Sequence, residues 1–296
     1  MNARLHEVKG REVAQIAASQ SAPVGTFTVR RALPLHDRHS VGPWVFLDHF
    51  GPFRVKPGED GVGAHPHAGI ETVTYLLSGR MQHRDSAGHV GVVGPGGAQW
   101  MTSGRGIVHA ERPIPESEAE HTLHGLQLWT SLPRAKKLMP PRYQRIAAES
   151  IPAVALPGVQ VRVIAGDFAG TAGPAETQMP LFLWHASLEP GAAFEAAIPA
   201  PFEAAAYVID GEADLGDAGA ESAVAGRIAI FDGAEECIRI ANASASDRLE
   251  VLLLGGAPAE GPLVFHGPFV MNSVEQVRAA EIAYHTGRMG QLAELR

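Results

Sequence analysis

Glycine and proline interrupt this chain so often that few stretches are long enough for a helix of several turns. Its 33 glycines and 22 prolines end or bend regular elements and favour turns. Between them lie short runs rich in β-branched and aromatic residues, such as Thr26–Val29, Trp44–Leu47, Glu71–Leu77 and Leu126–Trp129. Similar runs resume at Val159–Ile164, Leu181–Leu188, Ala205–Ile209, Arg227–Phe231 and Leu249–Leu254. Short strands at turn-punctuated spacing predict an all-β sandwich or barrel. The exception is the last stretch, from Ser273, where a cap residue and Val274, Val277 and Ile282 on one side predict a helix.

A chain of 296 residues is longer than one average domain. At 45% hydrophobic residues it has apolar material for two cores. Pro133, Pro140 and Pro141 bracket a short basic stretch, Arg134 to Lys137, which reads as a solvated linker. The expected division is a first lobe at 1–133, a linker at 134–141 and a second lobe at 142–296. A pair of similar segments, Tyr75–Met81 and Tyr207–Ala213, each an apolar strand running into a polar-Gly turn, points to a duplicated barrel.

Net charge is −8, and no basic cluster offers the footprint of a nucleic-acid binder. Residues 1–23 lack the apolar core of a secretory signal, and no window is apolar enough to span a membrane. The single cysteine, Cys237, rules out an intrachain disulfide and reads as a small core residue. The expected address is cytoplasmic.

The chemistry concentrates in two short motifs. His65-Pro66-His67 puts two imidazoles two positions apart, on one face of an extended strand. His109-Ala110-Glu111 repeats the device with an imidazole and a carboxylate. Glu71 has the same parity as His65 and His67 and shares their face if no bulge intervenes. Three histidines and a carboxylate suit Fe(II), Mn(II), Ni(II), Cu(II) or Zn(II), and leave positions open for water, substrate or dioxygen. The other histidines, His83 among them, read singly as surface or hydrogen-bonded core residues. Gln99 and Trp100 are candidate pocket walls.

The run His65–Gly79, the run Gln99–Glu111, and Gly125–Trp129 with Gly267–Asn272 resemble the signature of the pirin family within the cupin superfamily. The resemblance implies a bicupin: two facing jelly-roll β-barrels with a short C-terminal helix and the metal in the N-terminal one. It implies His65, His67, His109 and Glu111 as ligands and iron as the usual metal. Glu71 is then an inward-facing carboxylate beside the ligands. In the second lobe, neither the segment near Phe194–Ala197 nor that near Cys237–Asn242 repeats the ligand set, so no metal is expected there.

Bacterial members of the family resemble quercetin 2,3-dioxygenases, which open a flavonol ring with O2. That implies a small aromatic, flavonol-like substrate, with Glu111 as the first candidate to take its hydroxyl proton and Glu71 as the second. The alternative implied by the same family is a non-catalytic metal-binding regulator acting through protein partners. Cleft width discriminates between the two.

Overall fold

The computed structural model describes residues 10–25, 27–56, 61–114, 121–216, 221–233 and 235–292. Residues 1–9 of the N-terminal segment, Thr26, and residues 57–60 of the glycine-rich loop preceding His65 lie outside the described residues.

The described residues are mostly antiparallel β-structure, folded into two barrels. In each, a seven-stranded sheet faces a four-stranded one. In the first lobe the large sheet runs Arg142–Ile146, Ala98–Thr102, Ile70–Ser78, His121–Ser131, Trp44–Val55, Phe27–Leu33 and Gln20–Val24. The small sheet runs Val62–His67, Ile107–Pro113, Met81–Asp85 and Val90–Val93. The second lobe repeats both orders. Its large sheet is Val13–Ala18, Arg227–Phe231, Glu203–Asp210, Leu249–Gly256, Leu181–Leu188, Val159–Ala165 and Ala153–Leu156. Its small sheet is Ala193–Ala197, Cys237–Asn242, Glu212–Leu215 and Glu221–Val224.

The outermost strand of each large sheet crosses the expected division. Val13–Ala18 precedes the first barrel yet pairs with Arg227–Phe231 of the second. Arg142–Ile146 follows the linker yet pairs with Ala98–Thr102 of the first. The two large sheets pack on each other through one apolar cluster that includes Leu33, Trp44, Val73, Tyr75 and Trp100 from one lobe and Leu183, Tyr207, Ile230 and Leu252 from the other. At about 1.5–3 kcal/mol for each fully buried large apolar side chain, this shared core outweighs any single polar contact between the lobes. Two such contacts cross it reciprocally. Tyr75 Oη lies 2.9 Å from His185 Nδ1, and Tyr207 Oη lies 2.9 Å from His49 Nδ1.

Two expectations are corrected here. The basic stretch is not wholly solvated. Lys137 is buried, and its ammonium donates to Gly69 O, Ser131 Oγ and Val270 O at 2.7–2.8 Å. Burial lowers its pKa to about 7. The helix spans Val274–His285, with the Ser273 side chain accepting from Gln276 N–H. Its buried residues are Val277 and Ala280, whereas Val274 and Ile282 are exposed. The helix docks on the first lobe, where Val277 and Ala280 pack with Ala68, Val108, Phe269 and Met289. Cys237 is buried, and among the described residues no helix is long and apolar enough to cross a membrane.

Candidate metal centre

His65 and His67 sit at the end of Val62–His67, an edge strand of the small sheet, and His109 sits opposite His65 on Ile107–Pro113. Side chains two apart on a strand share a face, and the three rings meet with centroids 4.3–5.0 Å apart. One ligand atom from each lies within 4.8 Å of the others. His65 Nδ1 is 2.8 Å from Gly63 O and His67 Nδ1 is 3.1 Å from Pro268 O. A carbonyl only accepts, so each Nδ1 carries a proton and each Nε2 is turned away from that bond. Burial, reinforced by the charge of His65, lowers the His67 pKa to about 3. Burial with the neighbouring histidines holds His109 well below its ordinary value. Both rings are neutral near pH 7, the form that binds a metal. His109 Nε2 is buried and has no hydrogen-bond partner, an orphan of the kind a metal satisfies. This donor set fits a divalent transition metal.

Glu111 joins a second group rather than the three-histidine one: its carboxylate lies within 4.8 Å of His83 and His109 atoms. Its Oε1 accepts from Gln99 Nε2 and lies 2.7 Å from Thr74 Oγ1. The single hydroxyl proton of Thr74 is shared with Gln127 Oε1, also at 2.7 Å. Gln99 therefore holds Glu111 and is not a cavity wall, and Trp100 lies in the core between the lobes.

Glu71 is corrected more sharply. It accepts from Thr102 Oγ1 at 2.7 Å and from Thr130 Oγ1 at 3.4 Å. It lies on the face of Ile70–Ser78 that carries Val73 and Tyr75 into the core between the lobes, whereas Thr74 on the other face meets Glu111. Burial raises its pKa, against the pull of Thr102. The parity argument fails because the chain turns between the two strands at Gly69, whose φ is +77° and where a Cβ would stand 2.2 Å from Val270 O. Glu71 neither belongs to a candidate ligand group nor lines the cavity.

Beside His65, His67 and Glu111 opens a cavity of about 450 Å3. Phe27, Phe46, Phe53, Trp129 and Phe265 give it an aromatic lining. Trp129 stacks on Phe46 at 4.1 Å and meets the His67 ring edge-on at 4.9 Å. In the largely apolar wall, Arg31 makes two 2.8 Å bonds to the Asp48 carboxylate.

Sequence reasoning missed His83 and Asp85. His83 Nδ1 lies 3.4 Å from His109 Nδ1, and His83 Nε2 lies 3.1 Å from Asp85 Oδ2. Burial works against the charge of Asp85, but bonds from His83 and His89 outweigh it and lower its pKa. The signal available was His83-Arg84-Asp85, a third i, i+2 polar pair on one strand face, unreadable without knowing which strand it opposes.

The second barrel gives a control. Matching Gly79 to Gly211 aligns Met81 with Ala213, and the ladders then correspond pair by pair. His83 opposite Glu111 becomes Leu215 opposite Ile240, and His109 opposite His65 becomes Ile238 opposite Ala196. Thr74, Gln99 and Gln127 become Ala206, Ala229 and Leu253. All seven counterparts are buried apolar residues. The fold does not require the polar set.

Residues 26–130 match the Pirin family model and 183–290 the model for the Pirin C-terminal cupin domain. The chain is 36% identical over 276 residues to Pirin of Homo sapiens, covering 93% of this chain and 92% of that one. It is 36% identical over 262 residues to Pirin-1 of Arabidopsis thaliana, covering 88% of each. Among solved structures, quercetin 2,3-dioxygenase from Acinetobacter baumannii superposes with a TM-score of 0.88 at 32% identity, covering 95% of this chain and 99% of that chain.

Proposed function

This chain belongs to the pirin family, two cupin domains in one polypeptide, and from that premise we propose that it is a metal-dependent dioxygenase opening the ring of flavonol-like substrates with O2. The observation that carries the reading is His109 Nε2, buried and unpartnered beside the His65 and His67 rings and an aromatic cavity. We assign His65, His67, His109 and Glu111 as ligands of one divalent ion, Fe(II) by preference, with Mn, Ni, Cu or Zn also suited to the set. When bound, such an ion supplies a Lewis acid that acidifies a coordinated hydroxyl and offers a position for dioxygen.

The chain's own residues do the rest. Phe46 and Trp129 present a flat wall along which a planar aromatic lies against the histidines. Glu111, anchored by Gln99 and Thr74, takes the substrate hydroxyl proton. The Arg31–Asp48 pair is a polar point in the wall for a remote hydroxyl. The mostly apolar lining excludes water. The similarity to the Acinetobacter baumannii quercetin 2,3-dioxygenase supports the substrate class. The second reading, a regulator working through protein partners, is less favoured by a cavity of about 450 Å3 at the histidines, a size in the range of small-molecule sites.

The test is aerobic incubation of the iron-loaded protein with quercetin, following flavonol absorbance and carbon monoxide release beside a His67→Ala control. Metal-dependent cleavage that disappears in the control is expected. No cleavage by protein carrying Fe, Mn, Ni or Cu would overturn the catalytic reading and favour the regulatory one.

A further inference from the structure

We propose that Asp85, His83 and Tyr143 form a positioning chain that locks His109 in the Nδ1–H tautomer, so that Nε2 alone faces the metal site. This rests on the reading of His109 as a ligand.

The chain begins at a fixed carboxylate. Asp85 Oδ1 accepts the backbone N–H groups of Ala87 and His89, each at 3.0 Å, and Oδ2 is 2.8 Å from His89 Nδ1. Its remaining contact is His83 Nε2 at 3.1 Å. An ionised carboxylate only accepts, so His83 carries a proton on Nε2, and in the neutral ring Nδ1 then holds a lone pair. That lone pair is 3.4 Å from His109 Nδ1, a long hydrogen bond in which only His109 is able to donate. His109 Nε2 is left with its lone pair in a buried place with no other partner. Each proton position follows from the one before it.

Tyr143 holds the middle of the chain. Its ring is stacked on His83 at 4.4 Å with 13° between planes, which keeps the imidazole from rotating. It belongs to Arg142–Ile146, the strand that follows the linker and pairs into the first lobe. Room for it comes from Gly91, where a Cβ would stand 2.0 Å from the Tyr143 hydroxyl oxygen. The second barrel supports a specific purpose. Leu215 and Ile238 stand at the matching positions of His83 and His109, so a buried polar chain is not a requirement of the fold, and burying one costs desolvation.

The experiment has two readouts. Co(II) affinity is measured by competition with a chromophoric chelator for wild type, His83→Leu, His83→Gln and Asp85→Asn. The His109 tautomer is read in the metal-free protein from imidazole 15N shifts. Wild type should show the Nδ1–H form of His109, and His83→Leu a mixture of tautomers. Removal of such outer partners weakens metal binding about 10–100-fold, and that loss is expected for His83→Leu and Asp85→Asn. His83→Gln, whose amide oxygen still accepts from His109, should recover most of it. Affinity within about twofold of wild type in folded His83→Leu would overturn the proposal, as would an Nε2–H tautomer in wild type. Should His83→Leu not fold, Asp85→Asn carries the same comparison. Absence of Co(II) binding by wild type would instead overturn the ligand reading, and the tautomer measurement would still decide the chain.

Discussion

A histidine that ligates and one that packs differ in what the second ring nitrogen does. The proposed ligands His65 and His67 place Nδ1 on backbone carbonyls and turn Nε2 away from them, whereas His49 uses both nitrogens, on Tyr207 and on His124 and Arg30. Replacing Glu111 by Gln is expected to lower quercetin turnover by about 100-fold or more, the scale of a lost proton acceptor, or to empty the site. Unchanged turnover with full metal content would remove Glu111 from the proton role. For His49, burial first, then Arg30 and His124, lowers the pKa from 6.5 to about 3 in the folded chain. Between those values the unfolded chain binds a proton that the folded one refuses, so its contribution to stability is present above pH 6.5 and is lost as pH falls toward 3. Thermal melts from pH 7 down to pH 4 should therefore fall more steeply for wild type than for His49→Gln; parallel slopes would contradict this. At this scale the i, i+2 pairs were legible because strand geometry alone puts both members on one face. Glu71 was not, since its parity is reset by the turn at Gly69, and neither was His83, since one histidine carries no spacing.

Among elements, those read most easily were central strands such as Leu181–Leu188 and Arg227–Phe231, whose dense aliphatic and aromatic content marks burial on both faces. Val13–Ala18 escaped notice: it is an edge strand, half-exposed and alanine-rich, and its order comes from a partner more than two hundred residues away. The helix was legible at its Ser273 cap but not in its buried side, which docking on the first lobe decides. Two predictions belong here. Gly91→Ala should destabilise the protein by about 1–3 kcal/mol through overpacking against Tyr143. In a Tyr143→Ala background most of that added cost should vanish, and a cost that persists would show that Tyr143 is not the obstacle. Lys137→Met should cost about 3 kcal/mol in denaturant melts, because Gly69 O, Ser131 Oγ and Val270 O lose a common buried donor. A change below about 0.5 kcal/mol would mean that water replaces the ammonium at little cost.

The whole molecule is a duplicated barrel in which one copy keeps an apolar interior and the other buries a polar cluster around His83, His109 and Glu111. The duplication was legible in Tyr75–Met81 against Tyr207–Ala213, and those segments do occupy matching places. The exchange of outer strands was not legible, because pairing between distant segments leaves no local pattern. Segments beyond residue 133 matter to the site: Tyr143, on an exchanged strand, covers His83, while Pro268 orients His67 and Phe265 lines the cavity. A fragment ending at 133 is therefore expected to retain no stoichiometric metal, as judged by metal content after desalting. On the proposed reading, the first lobe builds a single transition-metal centre. The most direct test of that reading is anaerobic Fe(II) loading of the full chain, with metal counted per chain and the ligands identified by X-ray absorption. One iron per chain with three imidazole ligands, absent in His109→Ala, is the predicted result. Iron retained in His109→Ala, or a ligand shell with fewer than three imidazoles, would contradict it.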